Sequence, residues 1–323
     1  MNANARKMAK DDKGGATVKD WLRRQARLCL DRAGRSRFVR AVVSRELEKL
    51  AGEPWSASII QGFVEGPCGD AYGIGPKEKT DLVERFRRSA AEIATGTSPL
   101  VHVVLAREIL SVPPDVQGDV VECGVWKGAS SASLSCVCDL VKRRLWVCDS
   151  FEGLPSDGMR RHEGLHTGIY GYYKEGMFAG TLEEVRQNIS RWGRLEVCDF
   201  VKGFFAESLV ALKEPLVFAF LDVDLASSTR DCLRHIWPLL VENGAIYTDD
   251  AADLEVVGVF FDEPWWRETL ACGAPGYVGS GCGLPLNPQY SSVGYTRKSG
   301  RFDPAKWRKA PFLHYPDDEA TIT

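Results

Sequence analysis

The chain has 323 residues, of which 44% are hydrophobic and 10% aromatic, so it can bury the core of one large domain. No apolar run is long enough to cross a membrane, the N-terminus lacks the apolar core of a signal peptide, and the ten cysteines form no CxxC pair. We therefore expect a cytoplasmic protein without a membrane span, a zinc knuckle or a disulfide framework.

The net charge of −3 hides a basic N-terminal arm, because residues 1–50 hold fourteen Lys and Arg against six Asp and Glu. Such arms are typical of proteins that bind nucleic acid or anionic lipid, but Trp21 and Phe38 are the only aromatic residues here. We therefore predict no nucleic acid partner. Residues 1–76 are instead predicted to form a partly disordered helical arm and a Gly/Pro-rich loop. This segment would cover the main domain, residues 77–323, or a second subunit of a homo-oligomer.

Strand and helix patterns alternate along the main domain. The predicted strands are Asp119–Cys123, Leu145–Cys148, Leu195–Val201, Leu216–Leu221, Ala245–Thr248 and Ser292–Arg297. Predicted helices run through Leu82 to Ile93, from Pro99 after the cap Ser98 to Val112, from Ala129 to Lys142, from the capping box Thr181–Glu184 to Gly193, from Ser228 to Leu240 and from Val256 to Leu270. This order predicts a doubly wound α/β fold with a mainly parallel sheet and an N-terminal helical extension.

Carboxylates follow four of the apolar strands. Ligands of open α/β sheets bind at the carboxyl ends of the strands, so we expect these side chains to converge on one crevice. So much negative charge requires a cationic ligand, a metal ion or both. The residues are Glu122, Asp149, Asp222, Asp224, Asp249 and Asp250.

The turn Gly124–Gly128 lacks the middle glycine of a dinucleotide fingerprint and carries Trp126 instead. A pyrophosphate would fit poorly there, which argues against an NAD-linked oxidoreductase. Asp149 ends the second strand and can hold both hydroxyls of a ribose. These features favour a nucleoside ligand without a diphosphate, and S-adenosylmethionine is such a ligand, with a cationic sulfur and an ammonium group.

Two acid pairs end neighbouring strands and indicate a divalent cation. Asp222 and Asp224 lie on the same side of their strand by its period of two, and Asp249-Asp250 ends the next strand. Oxygen ligands without His or Cys nearby suit Mg²⁺ or Mn²⁺. The alternative is that some of these acids cap helices or pair with Arg230.

Six motifs together carry a resemblance: GDVVECGVWKGAS, WVCDSFEGLP, GTLEEVRQNISRWG, DFVKGFF, LDVDLASST and TDD. The chain resembles the macrocin O-methyltransferase (TylF-type) family over about residues 97–300. The resemblance implies a Rossmann-like class I methyltransferase fold, S-adenosylmethionine, Mg²⁺ and methylation of a sugar hydroxyl. It also implies Mg²⁺ on Asp222, Asp249 and Asp250, with Asp224 as general base. The residues implied at the methyl donor are Thr97, Glu122, Gly124, Ser130, Asp149, Ser150 and Phe151.

The acceptor is predicted to be a small molecule, a glycoside or sugar. A metal can chelate two neighbouring hydroxyls of such a molecule, and the loop 155–180 would act as a lid. His162 and His166 in that loop are rival bases. The run Leu225–Ser228 differs from the DLYEST-like run of the family. A phenolic or catechol-like acceptor, and a non-enzymatic interaction protein with a degenerate fold, are the alternatives.

Overall fold

The computed structural model describes residues 54–156, 173–279, 285–287 and 291–299. The chain divides into two compact units, Met1–Gly62 and Phe63–Thr323. Most of the predicted arm lies outside the described residues, so its boundary at residue 76, its role and the homo-oligomer stay predictions. Within the described ranges, no helix has both the length and the apolar character that a bilayer crossing requires.

The described chain alternates helices and strands as the sequence pattern predicts. The α-helices are α1 (Pro54–Glu65), α2 (Pro76–Glu92), α3 (Pro99–Leu110), α4 (Ala129–Val141), α5 (Leu182–Trp192), α6 (Phe205–Ser208), α7 (Ala226–Leu239), α8 (Leu254–Val259) and α9 (Glu263–Leu270). The strands are β1 (Asp119–Cys123), β2 (Leu145–Asp149), β3 (Cys198–Lys202), β4 (Leu216–Leu221), β5 (Leu240–Thr248), β6 (Pro285–Asn287), β7 (Ser291–Ser292) and β8 (Gly294–Arg297).

Six strands form one sheet in the order β3-β2-β1-β4-β5-β8. The first five are parallel, and β8 pairs antiparallel with β5. Every residue of β4 is buried, which explains its continuous apolar run. The predicted doubly wound, mainly parallel sheet is therefore confirmed. Strand order reverses between β1 and β4, which is where open α/β sheets bind their ligands.

Several predicted boundaries differ from the structure. The strand expected from Leu195 begins with a 3₁₀ turn, Leu195–Val197, before β3. The single helix expected over residues 256–270 is two helices, because Asp262 accepts a bond from the Trp265 backbone and so begins α9. The segment predicted as a loop from Gly62 is helical as far as Glu65.

An ion pair links α3 to the last two strands of the sheet. Arg297 of β8 donates to both carboxylate oxygens of Glu108 at 2.7 Å, and the Tyr247 hydroxyl of β5 donates to the same carboxylate at 3.1 Å. The Glu108 side chain is only 11% exposed, so water cannot replace these partners easily. This cluster holds the antiparallel edge strand against the helix.

We predict that Glu108→Gln lowers the free energy of unfolding by about 1–2 kcal/mol, because it removes a charge-assisted pair at a nearly buried site. The matched control is Glu84→Gln, whose ion pair with Arg87 is about half exposed on both sides and contributes less than about 0.5 kcal/mol. Urea unfolding of both variants measures the difference. Equal effects would contradict the role of the Glu108 cluster.

Candidate active site

The turn after β1 lies directly against the end of β4. Gly124 has a φ of +81°, and a Cβ atom there would collide with the backbone carbonyl oxygen of Asp222. Trp126 has a φ of +44°, a left-handed conformation that costs free energy in a residue with a side chain. The turn ends at Gly128, and α4 begins at the next residue. Close packing against β4 therefore requires glycine at position 124.

Glu122 is a fully buried carboxyl group at the end of β1. Among the described residues, neither of its oxygens has a hydrogen-bond partner of regular geometry, although the Ser130 and Ser131 hydroxyls are near enough to favour its ionised form. Burial raises the pKa of Glu122 to about 7. A buried carboxyl group without partners is costly, so this group suits a ligand that brings a cation or a donor.

Asp149 at the end of β2 joins two loops. One carboxylate oxygen accepts the Val125 backbone N–H at 2.8 Å, and the other accepts the Phe151 N–H at 2.6 Å. Burial raises the pKa of Asp149, while these backbone bonds oppose the rise. Ser150 is held next to it by donating to the Gly153 carbonyl at 2.8 Å. The Trp126 backbone N–H adds to the backbone bonds of Asp149 and also favours the ionised carboxylate.

Thr97 belongs to a buried polar chain. Its hydroxyl lies 2.9 Å from Nε2 of His102, whose Nδ1 lies 2.9 Å from the Ser133 hydroxyl of α4. Burial lowers the pKa of His102 to about 4, so its imidazole is neutral. Sequence reasoning missed His102, because one histidine in an apolar helix is ordinarily a core residue. Its ring fixes Thr97 relative to the helix that carries Ser130.

Three carboxylates converge at the ends of β4 and β5. Oxygen atoms of Asp222, Asp224 and Asp250 all lie within 4.8 Å of one another. Asp224 has a φ of +59° and donates its backbone N–H to Asp250 at 3.2 Å. The predicted ligand set contained Asp249 instead of Asp224. In the structure Asp249 is buried next to this group, and its N–H donates to the Leu221 carbonyl at 3.1 Å.

Burial and mutual repulsion raise the pKa values of these acids. The pKa of Asp222 and of Asp250 lies well above the ordinary range, and that of Asp224 is about 6. Arg230 does not neutralise them, because it pairs with Asp262 at 2.5 Å. Asp253, whose pKa burial raises to about 7, is a neighbouring acid that sequence reasoning missed. A set of buried oxygen donors is what a Mg²⁺ or Mn²⁺ ion requires, so the residues fit such an ion.

The described end of the predicted lid loop packs on the turn after β1. Phe178 contacts the ring of Trp126 edge to face, with centroids 5.6 Å apart. Leu154 exchanges backbone hydrogen bonds with the segment, donating to Met177 at 2.9 Å and accepting from Gly176 at 3.0 Å. His162 and His166, the rival bases, lie outside the described residues.

Comparison with known proteins identifies the family. The family model described as Macrocin-O-methyltransferase (TylF) matches residues 89–269, more than half of the chain. The chain belongs to the macrocin O-methyltransferase family. Membership confirms the predicted resemblance and the predicted enzyme class, an O-methyltransferase that uses S-adenosylmethionine.

Three curated relatives share its sequence. The chain is 38% identical to 8-demethyl-8-(2,3-dimethoxy-alpha-L-rhamnosyl)-tetracenomycin-C 4'-O-methyltransferase of Streptomyces olivaceus, over 60% of this chain and 72% of the relative. It is 32% identical to demethyldecarbamoylnovobiocin O-methyltransferase of Streptomyces niveus, over 42% and 53%. It is 31% identical to mycinamicin III 3''-O-methyltransferase of Micromonospora griseorubida, over 42% and 56%. The chain thus spans only about half of the last two relatives.

Solved structures share a lower sequence identity with this member of the macrocin O-methyltransferase family. The O-methyltransferase NovP is 19% identical with a TM-score of 0.48, over 76% of this chain and 98% of NovP. The calicheamicin methyltransferase CalS11 is 20% identical with a TM-score of 0.43, over 69% and 93%.

The buried Glu122 predicts a pH dependence of stability. Its pKa is about 7 in the folded protein against an ordinary 4.5. As pH rises through this window, the unfolded chain ionises while the folded carboxyl group keeps its proton. Folding stability therefore falls, by up to about 3 kcal/mol, and the loss is complete above the folded pKa.

We predict that Glu122→Gln abolishes this loss. The ligand-free variant should unfold at a higher temperature than the parent near pH 8 and at a similar temperature near pH 4. It should also gain less thermal stability from S-adenosylhomocysteine, because the amide carries no negative charge. Thermal unfolding with and without this ligand measures both effects. A variant that is no more stable near pH 8, or that binds as tightly as the parent, would contradict the prediction.

Proposed function

We propose that this enzyme transfers a methyl group from S-adenosylmethionine to a hydroxyl of a sugar on a glycosylated natural product, with a divalent cation and a carboxylate base. The observation that carries the proposal is the convergence of Asp222, Asp224 and Asp250 next to the turn after β1. The names of two relatives add support, since one refers to a rhamnosyl group and another to a 3''-hydroxyl.

The donor pocket would use the residues around β1 and β2. Glu122 would meet the ammonium group of the methyl donor, because a cation compensates its buried charge. Asp149 would accept the ribose hydroxyls, while its backbone bonds keep it in place. Gly124 would also line this pocket, since its turn brings the end of β1 against the end of β4. Ser150 and Phe151, and with weaker support Thr97 and Ser130, would line the same pocket.

The acid cluster would hold the cation and take the proton. Asp222 and Asp250 would be two of the ligands, because their oxygens lie within 4.8 Å of each other, and we propose Asp249 as the third. When bound, Mg²⁺ or Mn²⁺ would lower the pKa of a chelated sugar hydroxyl. Asp224 would accept the proton of that hydroxyl as its oxygen attacks the methyl group, because a base must lie within reach of the oxygen it activates. Orientation of hydroxyl, methyl and sulfur in line supplies much of the rate.

Substitutions in the cluster distinguish ligands from base. Asp222→Ala should abolish both Mn²⁺ binding and turnover, and Asp249→Asn should weaken Mn²⁺ binding at least about 10-fold. Asp224→Asn should keep its Mn²⁺ affinity within about 3-fold while kcat falls about 10²–10⁴-fold. Calorimetry with Mn²⁺ and single-turnover assays measure these quantities.

The matched control is Asp139→Asn, which removes the ion pairs of α4 with Lys142 and Arg194 at the surface and should leave both quantities unchanged. If Asp224→Asn loses Mn²⁺ binding and Asp249→Asn keeps it, Asp224 is a ligand and its assignment as base is wrong.

An acceptor screen tests the reaction itself. The enzyme, S-adenosylmethionine and Mg²⁺ should add one methyl group to a deoxysugar glycoside, and mass spectrometry of the released sugar should locate it there. The matching aglycone and a catechol serve as controls and should stay unmodified. Methylation of the catechol but of no glycoside would instead support the phenolic alternative.

A further inference from the structure

A chain of three aromatic rings crosses from the turn after β1 to the acid cluster. The Trp126 ring contacts Phe178 at 5.6 Å, and Phe178 contacts Tyr173 at 6.2 Å with an interplanar angle of 63°. Both contacts are edge to face, the arrangement that aromatic pairs favour. Tyr173 therefore has a fixed ring orientation relative to the methyl-donor turn.

The segment that carries two of these rings, Tyr173–Gly180, is held at its middle and at its far end. The backbone bonds of Leu154 hold its middle against the end of β2. At its far end Gly180 packs so closely on Trp126 that a Cβ atom would collide with the Trp126 carbonyl oxygen. We name this segment the strap. Because it is held by two elements of the site, the strap places Tyr173 with little freedom.

The Tyr173 hydroxyl reaches the acid cluster and donates a hydrogen bond to the Asp224 carboxylate. Burial and the negative charges of Asp224, Asp250 and Asp253 raise the pKa of Tyr173, so the phenol keeps its proton and remains a donor. The run that follows Asp224, Leu225–Ser228, is aliphatic or hydroxylic and brings no aromatic ring of its own.

We propose that Tyr173 is a positioning residue that directs the Asp224 carboxylate toward the acceptor hydroxyl. Asp224 sits in a left-handed backbone conformation, and its N–H donates to Asp250. The backbone bond fixes the main chain, and the phenol fixes the carboxylate, leaving the second oxygen for the acceptor. This inference rests on the proposed role of Asp224 as base, and Tyr173 itself need not touch the substrate.

The test compares Tyr173→Phe with Tyr72→Phe. The first removes only the hydroxyl and keeps the ring contact with Phe178. The second removes a hydroxyl that donates to the Val112 carbonyl at 2.7 Å and accepts from Arg143, near the amino ends of the strands. Four quantities are measured for each variant: kcat, KM for S-adenosylmethionine, Mn²⁺ affinity by calorimetry, and the thermal midpoint.

For Tyr173→Phe we expect kcat to fall about 10–100-fold, the value of one hydrogen bond to a charged group. The KM for the methyl donor, the Mn²⁺ affinity and the thermal midpoint should match those of the parent. Tyr72→Phe should keep the parental kcat. A role in packing alone would lower the thermal midpoint without this selective loss of kcat.

Three results would overturn the inference. A kcat of Tyr173→Phe within about 2-fold of the parent would show that the hydroxyl does not orient the base. A loss of Mn²⁺ affinity in parallel with kcat would show that the Tyr173 hydroxyl supports cation binding and does not act through the base. An equal loss of kcat in Tyr72→Phe would show that removing a tyrosine hydroxyl far from Asp224 has the same effect. In each of these cases the parent enzyme still methylates its acceptor, so the proposed function stands. A parent enzyme that is inactive on every acceptor would contradict both the proposed function and the role of Tyr173.

Discussion

The turn after β1 and the end of β4 meet backbone to backbone, and the geometry of the whole site follows from this contact. The Asp222 N–H donates to the Cys123 carbonyl at 2.9 Å, and the Gly124 N–H donates to the Cys148 carbonyl at 3.0 Å. The missing Cβ of Gly124 allows the turn to reach the Asp222 carbonyl. In the proposed function, a methyl donor held by the turn would therefore lie at a fixed distance from the acids that follow β4, which an in-line transfer requires.

The same compactness makes the ligand-free protein electrostatically costly. Glu122 and the acids of β4 and β5 lie in a site where burial raises their pKa values, and Arg230 is already paired elsewhere. Natural sites retain such groups when a ligand compensates them. A cationic sulfonium donor and a divalent ion would each supply the missing charge, so binding should stabilise the fold as well as prepare the chemistry.

The sequence predicts the sheet and the acidic strand ends because both depend on local patterns. Apolar runs identify β1 and β4 to the residue, since a strand covered on both faces is built mostly of apolar side chains. Asp222 and Asp224 do come together, but not through the predicted strand period, because β4 ends at Leu221 before either residue. The sequence pattern cannot choose between Asp224 and Asp249 as partners of Asp250, because that depends on the left-handed turn at Asp224, a feature that tertiary packing imposes.

Contacts between segments distant in the chain likewise could not be predicted from the sequence. Asp253 is an acid like any other until folding brings it near Asp224 of another segment, whose negative charge helps to raise the pKa of Asp253. Tyr173 belongs to a Gly-rich stretch, and its hydrogen bond to Asp224 joins it to a segment far along the chain. Long-range placement of this kind leaves no local period, so pattern reasoning has no signal to detect.

Aromatic and acidic side chains have separate tasks in the site. Methyl transfer removes positive charge from sulfur. In the proposed site, apolar rings such as Trp126 and Phe178 would therefore not raise the free energy of the transition state, as they would for a step that creates charge. In the proposed mechanism the acids instead act on the acceptor, where a proton must leave. Excluding water strengthens their interactions, because charges attract more strongly at low dielectric. The strap links the two regions, and this explains why one segment carries both an apolar ring and a phenol.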